Sequence, residues 1–174
     1  MLLGFLNNLI NGISLGSIYA IIALGYTMVY GIAKMLNFAH GDVIMVGAYV
    51  CFFATGSFGL PPVVGVLLAM AVCTVLGVVI ERLAYKPLRQ ASSLAVLITA
   101  IGMSYLLQNL ALLLWGSNPK SFPSVVSLGS ISLLDGQLMI SGETLVTVLM
   151  SVVIMVVLTL FTNRTKMGLS LIHI

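Results

Sequence analysis

Hydrophobic and polar positions along the chain fall into long apolar runs separated by short polar segments. A membrane-crossing helix needs about 20 apolar residues, because each residue adds about 1.5 Å and the hydrocarbon core is about 30 Å thick. Four runs meet this length and predict transmembrane helices over residues 9–30, 61–80, 92–115 and 143–162. A fifth run, residues 43–55, is too short to span by itself.

A cluster of polar side chains precedes this short run. It is Asn37-Phe38-Ala39-His40-Gly41-Asp42, which we call the polar turn. A hydrocarbon core tolerates an interrupted helix only where the freed backbone faces protein or a water-filled cavity. A helix over residues 35–55 would be long enough to span and would contain the polar turn, as in a broken helix. The alternative is a re-entrant segment.

Composition places the chain in the membrane. Of its 174 residues 60% are hydrophobic and 6% are charged, and the mean hydropathy is +1.21. Soluble domains carry roughly 25% charged residues. The net charge of +3 comes from cations spread along the chain, so a nucleic-acid partner is excluded and the lipid bilayer is the expected environment. We therefore predict an all-α, polytopic transmembrane helical bundle of about five spans, one of them broken.

The distribution of lysine and arginine predicts the orientation. Positive residues favour cytoplasmic loops. With residues 35–55 as a span, Lys120 alone is external and the other six cations are cytoplasmic. The six are Lys34, Arg82, Lys86, Arg89, Arg164 and Lys166. An external N-terminus follows. If residues 35–55 are re-entrant, Lys34 changes sides and the bias remains.

The longest polar stretch, residues 116–142, carries few charges and suits an external loop. Within it, residues 131–140 alternate around Asp135-Gly136. This pattern predicts a short β-hairpin.

Small residues at four-residue intervals predict the faces on which helices pack, because they let neighbouring backbones approach closely. The first span and the 61–80 span each carry such a stripe. The two sets are Gly12, Gly16 and Ala20, and then Gly65, Ala69, Cys73 and Gly77.

The polar turn holds the candidate functional residues. Asp42 precedes an apolar helix, so its carboxylate could cap the free N–H groups of the first turn. His40 could bond a freed backbone carbonyl or act on a proton or solute. We predict that Asn37, His40, Gly41 and Asp42 line or gate a permeation path.

Motifs for catalysis are missing from the sequence. It has no nucleophile elbow, HExxH motif or phosphate-binding glycine loop. Cys51 and Cys73 lie in apolar runs without a CxxC partner, which favours packing over metal binding. We expect no catalytic residue, no metal and no cofactor.

The sequence resembles the permease subunits of bacterial branched-chain amino acid ABC importers. The similarity covers nearly the whole chain up to Gly168. The matching stretches are residues 9–12, 15–20, 23–31, 37–42, 47–49, 81–82, 85–89, 98–102 and 165–168.

The resemblance implies a multi-pass permease of the bacterial inner membrane that imports branched-chain amino acids. Its expected partners are a second permease subunit, two cytoplasmic ATPase subunits that hydrolyse ATP, and a periplasmic solute-binding protein. The region of Arg164, Lys166 and Gly168 would lead into a cytoplasmic loop that contacts the ATPase, followed by further spans.

The end of the chain departs from the family pattern. Residues 1–168 are expected to be the N-terminal part of a permease domain, whereas residues 169–174 look atypical. We expect a truncated or artefactual end, and a form that inserts in the membrane without supporting ATP-driven uptake. Three rival functions stay open: a urea or short-amide ABC permease on the same scaffold, a stand-alone secondary transporter or channel, and a non-transporting membrane scaffold.

Overall fold

The computed structural model describes residues 2–33, 37–88, 90–122, 129, 131–133 and 138–164. Long helices dominate this part of the chain, which confirms the predicted helical membrane fold. The helices are α1 (Leu2–Ala33), α2 (His40–Phe52), α3 (Pro62–Ile80), α4 (Ser93–Trp115) and α5 (Gly142–Arg164). Two short strands are β1 (Ile131–Leu133) and β2 (Leu138–Ile140).

Four helical segments in the described residues are long and apolar enough to cross a membrane. They are Gly4–Gly31, Pro62–Leu88, Ser93–Trp115 and Gly142–Thr162. They correspond to the four long runs of the sequence. The short run forms α2, which has 13 residues and is not among the four, so the predicted fifth span is not a regular membrane-crossing helix.

Residues with special backbone geometry mark the helix ends. Pro61 and Pro62 begin α3, where a missing backbone N–H costs nothing. Gly59 precedes them with φ +61°, a conformation that side chains with a Cβ rarely adopt. Ser92 caps α4 by accepting the N–H of Ala95 at 3.4 Å, and Gly116 ends α4 with φ +78°.

Two helices continue into wider π-helical turns. Phe53–Ser57 extends α2, and Glu81–Tyr85 extends α3 into a short 3-10 turn, Lys86–Leu88. The sequence predicts that this span ends at residue 80, but helical turns continue to Leu88. Pro87 is the next proline after Pro62 and lies beyond the π turn, so it does not interrupt that turn.

The chain forms two compact units, and α2, α3 and α4 make up one of them. Here α2 runs antiparallel to α3: Cys73 reaches Val43 near the start of α2, and Gly65 lies against Ala54 and Thr55 at its end. The buried apolar core of this unit consists of Ala39, Ile80, Ala84, Tyr85, Val96, Ala100 and Leu107.

An aromatic cluster joins the far ends of α2 and α4. The rings of Tyr49 and Trp115 stack with centroids 4.3 Å apart and planes 16° from parallel. The ring centroids of Phe53 and Trp115 are 6.4 Å apart, and the Nζ of Lys120 lies 6.0 Å from the Phe53 ring centroid. Because Asp42 contacts Ser104 and Tyr49 contacts Trp115, α2 and α4 run parallel.

The other unit contains α1, the strand pair and α5. The strands are antiparallel, with Ile131 opposite Ile140 and Leu133 opposite Leu138. This confirms the predicted hairpin, whose turn at residues 134–137 lies outside the described residues. α5 runs on to Arg164, beyond the predicted span end at residue 162.

Candidate functional site

The polar turn contains the start of α2 rather than a long loop. Asn37 organises it: its Oδ1 accepts the N–H of Ala39 at 3.1 Å, and its backbone carbonyl accepts the N–H of His40 at 3.2 Å. Val43 then bonds the carbonyl of Ala39 at 3.0 Å. The helix therefore begins at His40, two residues before Asp42.

This early start overturns the prediction that Asp42 caps α2. The N-cap residue is Ala39, and no side chain makes a cap hydrogen bond there. Asp42 lies inside the first turn with only 7% of its surface exposed. Its Oδ2 accepts the hydroxyl of Ser104 at 2.5 Å, a contact between α2 and α4. The Asp42 carboxylate thus bonds a neighbouring helix instead of capping its own.

Ser104 in turn bonds a second polar residue of α4. The Nε2 of Gln108 donates to the Ser104 Oγ at 3.0 Å. These residues are four positions apart, so they share one helix face. Asp42 is buried, Ser104 is half-buried and Gln108 is exposed. The three side chains form a continuous polar row, which we call the Asp42 row.

The other end of the polar turn is bonded to the extension of α3. The Tyr85 hydroxyl donates to the Asn37 Oδ1 at 2.8 Å. Tyr85 is the last residue of the π turn and is 8% exposed. Asn37 therefore accepts hydrogen bonds from both Tyr85 and Ala39, which fixes the orientation of its amide.

The remaining two members of the predicted site lie between these anchors. His40 is half-buried and Gly41 is exposed. A Cβ added at Gly41 would meet no described atom within 4 Å, so close packing does not explain this glycine.

The small-residue stripe of α3 divides into a packed part and an open part. A Cβ on Gly65 would lie 3.0 Å from the Thr55 Cγ2, and Cys73 donates to the Val43 carbonyl at 3.4 Å. Ala69 is half-buried. Gly77 is exposed, and a Cβ there meets nothing described within 4 Å. Packing on Gly77 stays a prediction.

The stripe of α1 is open in the described structure. Gly12 and Gly16 are exposed and would accept a Cβ without a contact within 4 Å. Ala20 lines a shallow cleft between α1 and α5, opposite Ser151. The packing role of these three residues stays a prediction.

The predicted ATPase-side residues are placed only in part. Arg164 is exposed at the end of α5. Lys166 and Gly168 lie outside the described residues.

Sequence reasoning missed Ser104 and Tyr85. Ser104 lies in the middle of an apolar span, where a polar residue is a functional or packing signal. Tyr85 lies between charged residues, a pattern that predicts a loop. No cluster of three His, Cys, Asp or Glu side chains that could hold a metal occurs in the part of the chain that the structure describes.

The position of Ser104 along α4 shows where the polar turn lies along this helix. Ser104 lies eleven residues from Ser93 and eleven from Trp115, so it is about 16 Å from either end of the helix. Since Ser104 contacts Asp42, the first turn of α2 is level with the middle of α4. The start of α2 also lies near the middle of α3, because Val43 contacts Cys73, which is eleven residues from Pro62.

Comparison with known proteins agrees with this architecture. Residues 8–174 match the family described as the permease component of branched-chain amino acid transport systems. The chain is similar to the high-affinity branched-chain amino acid transport system permease protein BraD of Pseudomonas aeruginosa, at 41% identity over 94% of this chain and 57% of BraD. It is also similar to the corresponding permease protein LivH of Salmonella typhimurium and of Escherichia coli K12, at 44% identity over 70% of this chain and 42% of each relative.

The chain thus spans about half the length of the curated relatives that it matches. No solved structure matches it.

Proposed function

Because the chain belongs to the family of permease components of branched-chain amino acid transport systems, we propose that it forms part of an ABC importer permease that carries branched-chain amino acids into the bacterial cytoplasm. The chain is a multi-pass membrane protein and a transport component rather than an enzyme. The proposed location is the inner membrane.

The proposed permeation path rests on one observation, the position of the polar turn beside the middle of α4. α4 is long and apolar enough to cross the membrane, and Asp42 meets it at its midpoint. Ionisable residues at such depth are costly in lipid and commonly mark substrate or ion pathways. Interrupted helices near the membrane midplane are also a recurring way to build transporter sites. We therefore assign Asn37, His40, Gly41 and Asp42 to the wall or gate of the path.

The proposed partners follow from the family to which the chain belongs. Two separate cytoplasmic subunits are proposed to hydrolyse ATP. A second permease subunit and a periplasmic solute-binding protein complete the proposed importer. Arg164 and Lys166 mark the region proposed to face the ATPase.

The test is uptake by a complete permease containing this chain, assembled with its partner subunits in proteoliposomes. We expect ATP-dependent uptake of labelled leucine. Uptake of urea or a short amide in its place would favour the related amide permease, and uptake without ATPase subunits would favour a stand-alone transporter. Either result would overturn the proposal.

Asp42→Asn tests the path assignment in the same system. Asparagine keeps an acceptor for Ser104 but removes the charge, and we expect uptake to fall about tenfold or more at normal membrane levels. Glu143→Gln, at the exposed start of α5, is the matched control and should transport normally. His40→Gln separates hydrogen bonding from proton chemistry, because glutamine bonds but does not titrate near neutral pH.

A further inference from the structure

We propose that Ser104 is a positioning residue of the permeation path that orients the Asp42 carboxylate, and that Gln108 helps to hold the Ser104 hydroxyl in place. The proposal deepens the proposed function and rests on it, because it needs Asp42 to act on the path. Neither residue belongs to the polar turn. Both come from α4, which would supply the second wall of the path.

Hydrogen-bond accounting fixes the direction of the Ser104 proton. A serine hydroxyl has one proton to donate and two lone pairs to accept. Gln108 donates to the Ser104 Oγ through its Nε2 at 3.0 Å and so occupies a lone pair. The Ser104 hydroxyl itself donates its proton to the Asp42 Oδ2, 2.5 Å away. This distance lies in the range of hydroxyl-to-carboxylate hydrogen bonds, which are stronger than neutral ones.

Burial decreases along the Asp42 row from Asp42 to Gln108, and this indicates the role of the hydrogen bond between Ser104 and Asp42. Asp42 is 7% exposed, and the oxygens of a buried carboxylate need hydrogen-bond donors. Ser104 supplies one from the facing helix. Gln108 is exposed one helical turn farther along α4, so the row connects the buried carboxylate with the helix surface. Ser104 thereby holds the Asp42 carboxylate in one orientation.

A purely structural role for Ser104 predicts something different. If the Ser104 hydroxyl only held α2 against α4, its loss would lower the uptake rate whether or not residue 42 carries a charge. If it acts through the Asp42 carboxylate, its loss should have no further effect once that charge is removed. A double-mutant cycle separates the two cases.

The experiment measures leucine uptake by the complete transporter with its partner subunits in proteoliposomes. Ser104→Ala should lower the maximal rate about tenfold, the loss expected for a hydrogen bond to a charged group, and Ser104→Thr should restore it. In the Asp42→Asn background, Ser104→Ala should change the rate less than about twofold. Thr99→Val is the control, because the Thr99 hydroxyl bonds the Ala95 carbonyl of its own helix at 2.9 Å.

Several outcomes would overturn the inference while leaving leucine import in place. These are equal losses from Ser104→Ala in both backgrounds, a Ser104→Ala rate equal to that of Thr99→Val, or wild-type uptake by Asp42→Asn. Failure of the wild-type transporter to import leucine would instead refute the proposed function. If Ser104→Ala does not assemble, Gln108→Ala in the same two backgrounds decides: a loss confined to the background that retains Asp42 supports the inference, and equal behaviour refutes it.

Discussion

Gly47 of α2 lies against Cys73 of α3, and adding a single methyl group at Gly47 tests this contact. A Cβ at residue 47 would lie 2.8 Å from the Cys73 Sγ. Favourable contacts between heavy atoms begin at about 3.5 Å, so the two atoms would overlap. Cys73 cannot simply rotate away without losing its hydrogen bond to the Val43 carbonyl at 3.4 Å.

The expected effect of Gly47→Ala is the difference between two opposing terms. Overpacking of a tight contact costs about 1–3 kcal/mol, whereas replacing glycine by alanine inside a helix gains about 1 kcal/mol. We expect a net loss of up to about 2 kcal/mol in the free energy of unfolding. Gly102→Ala is the matched control in α4, where a Cβ meets no described atom within 4 Å, and it should gain about 1 kcal/mol.

The assay is reversible unfolding of the purified protein in mixed micelles with increasing SDS. A double-mutant cycle with Cys73→Ala isolates the contact, because shortening residue 73 removes the sulfur atom that the new methyl group at position 47 would meet. Gly47→Ala should therefore be tolerated in the Cys73→Ala background. Equal behaviour of Gly47→Ala and Gly102→Ala, or no coupling with residue 73, would refute the packing of α2 on α3.

Three further predictions concern single positions. Tyr85→Phe removes the hydrogen bond to Asn37 and should cost about 1 kcal/mol of unfolding free energy in the same micelles. Tyr105→Phe, on an exposed ring, is the control and should not change this free energy. Equal free energies for the two variants would exclude the Tyr85 hydrogen bond. Gly59→Ala should cost about 1–2 kcal/mol because of its positive φ, and Gly59→Asn should cost less; unfolding free energies in the opposite order would contradict the backbone assignment. Gly77→Leu should lower the recovery of the permease in a detergent-stable complex with its partners, and undiminished recovery would count against buried packing there.

The spans could be predicted from the sequence because hydropathy and length act locally. The 61–80 run became α3 at Pro62–Ile80, and the 92–115 run became α4 at Ser93–Trp115. The strand pair followed from alternation around a turn dipeptide. Each of these signals lies within the segment that it describes.

The site could be predicted only in part, because its partners are distant in sequence. The polar turn stood out by composition, but Asp42 bonds Ser104, 62 positions away, and Asn37 bonds Tyr85, 48 positions away. No local pattern pairs such residues. The cap assignment to Asp42 was wrong because the backbone carbonyls of Asn37 and Ala39 accept the N–H groups of His40 and Val43. These bonds start the helix earlier, and composition does not reveal them.

The π turn at Glu81–Tyr85 bears on how this helix can tolerate a change of length during evolution. A π turn holds one residue more than the α-helical turn that it replaces, so the residues after it keep nearly the same face as in a regular helix. Losing one residue at the exposed Leu83 would therefore restore regular α-helix and leave Tyr85 facing Asn37. We expect any relative that lacks one residue here to keep the tyrosine and its hydrogen bond.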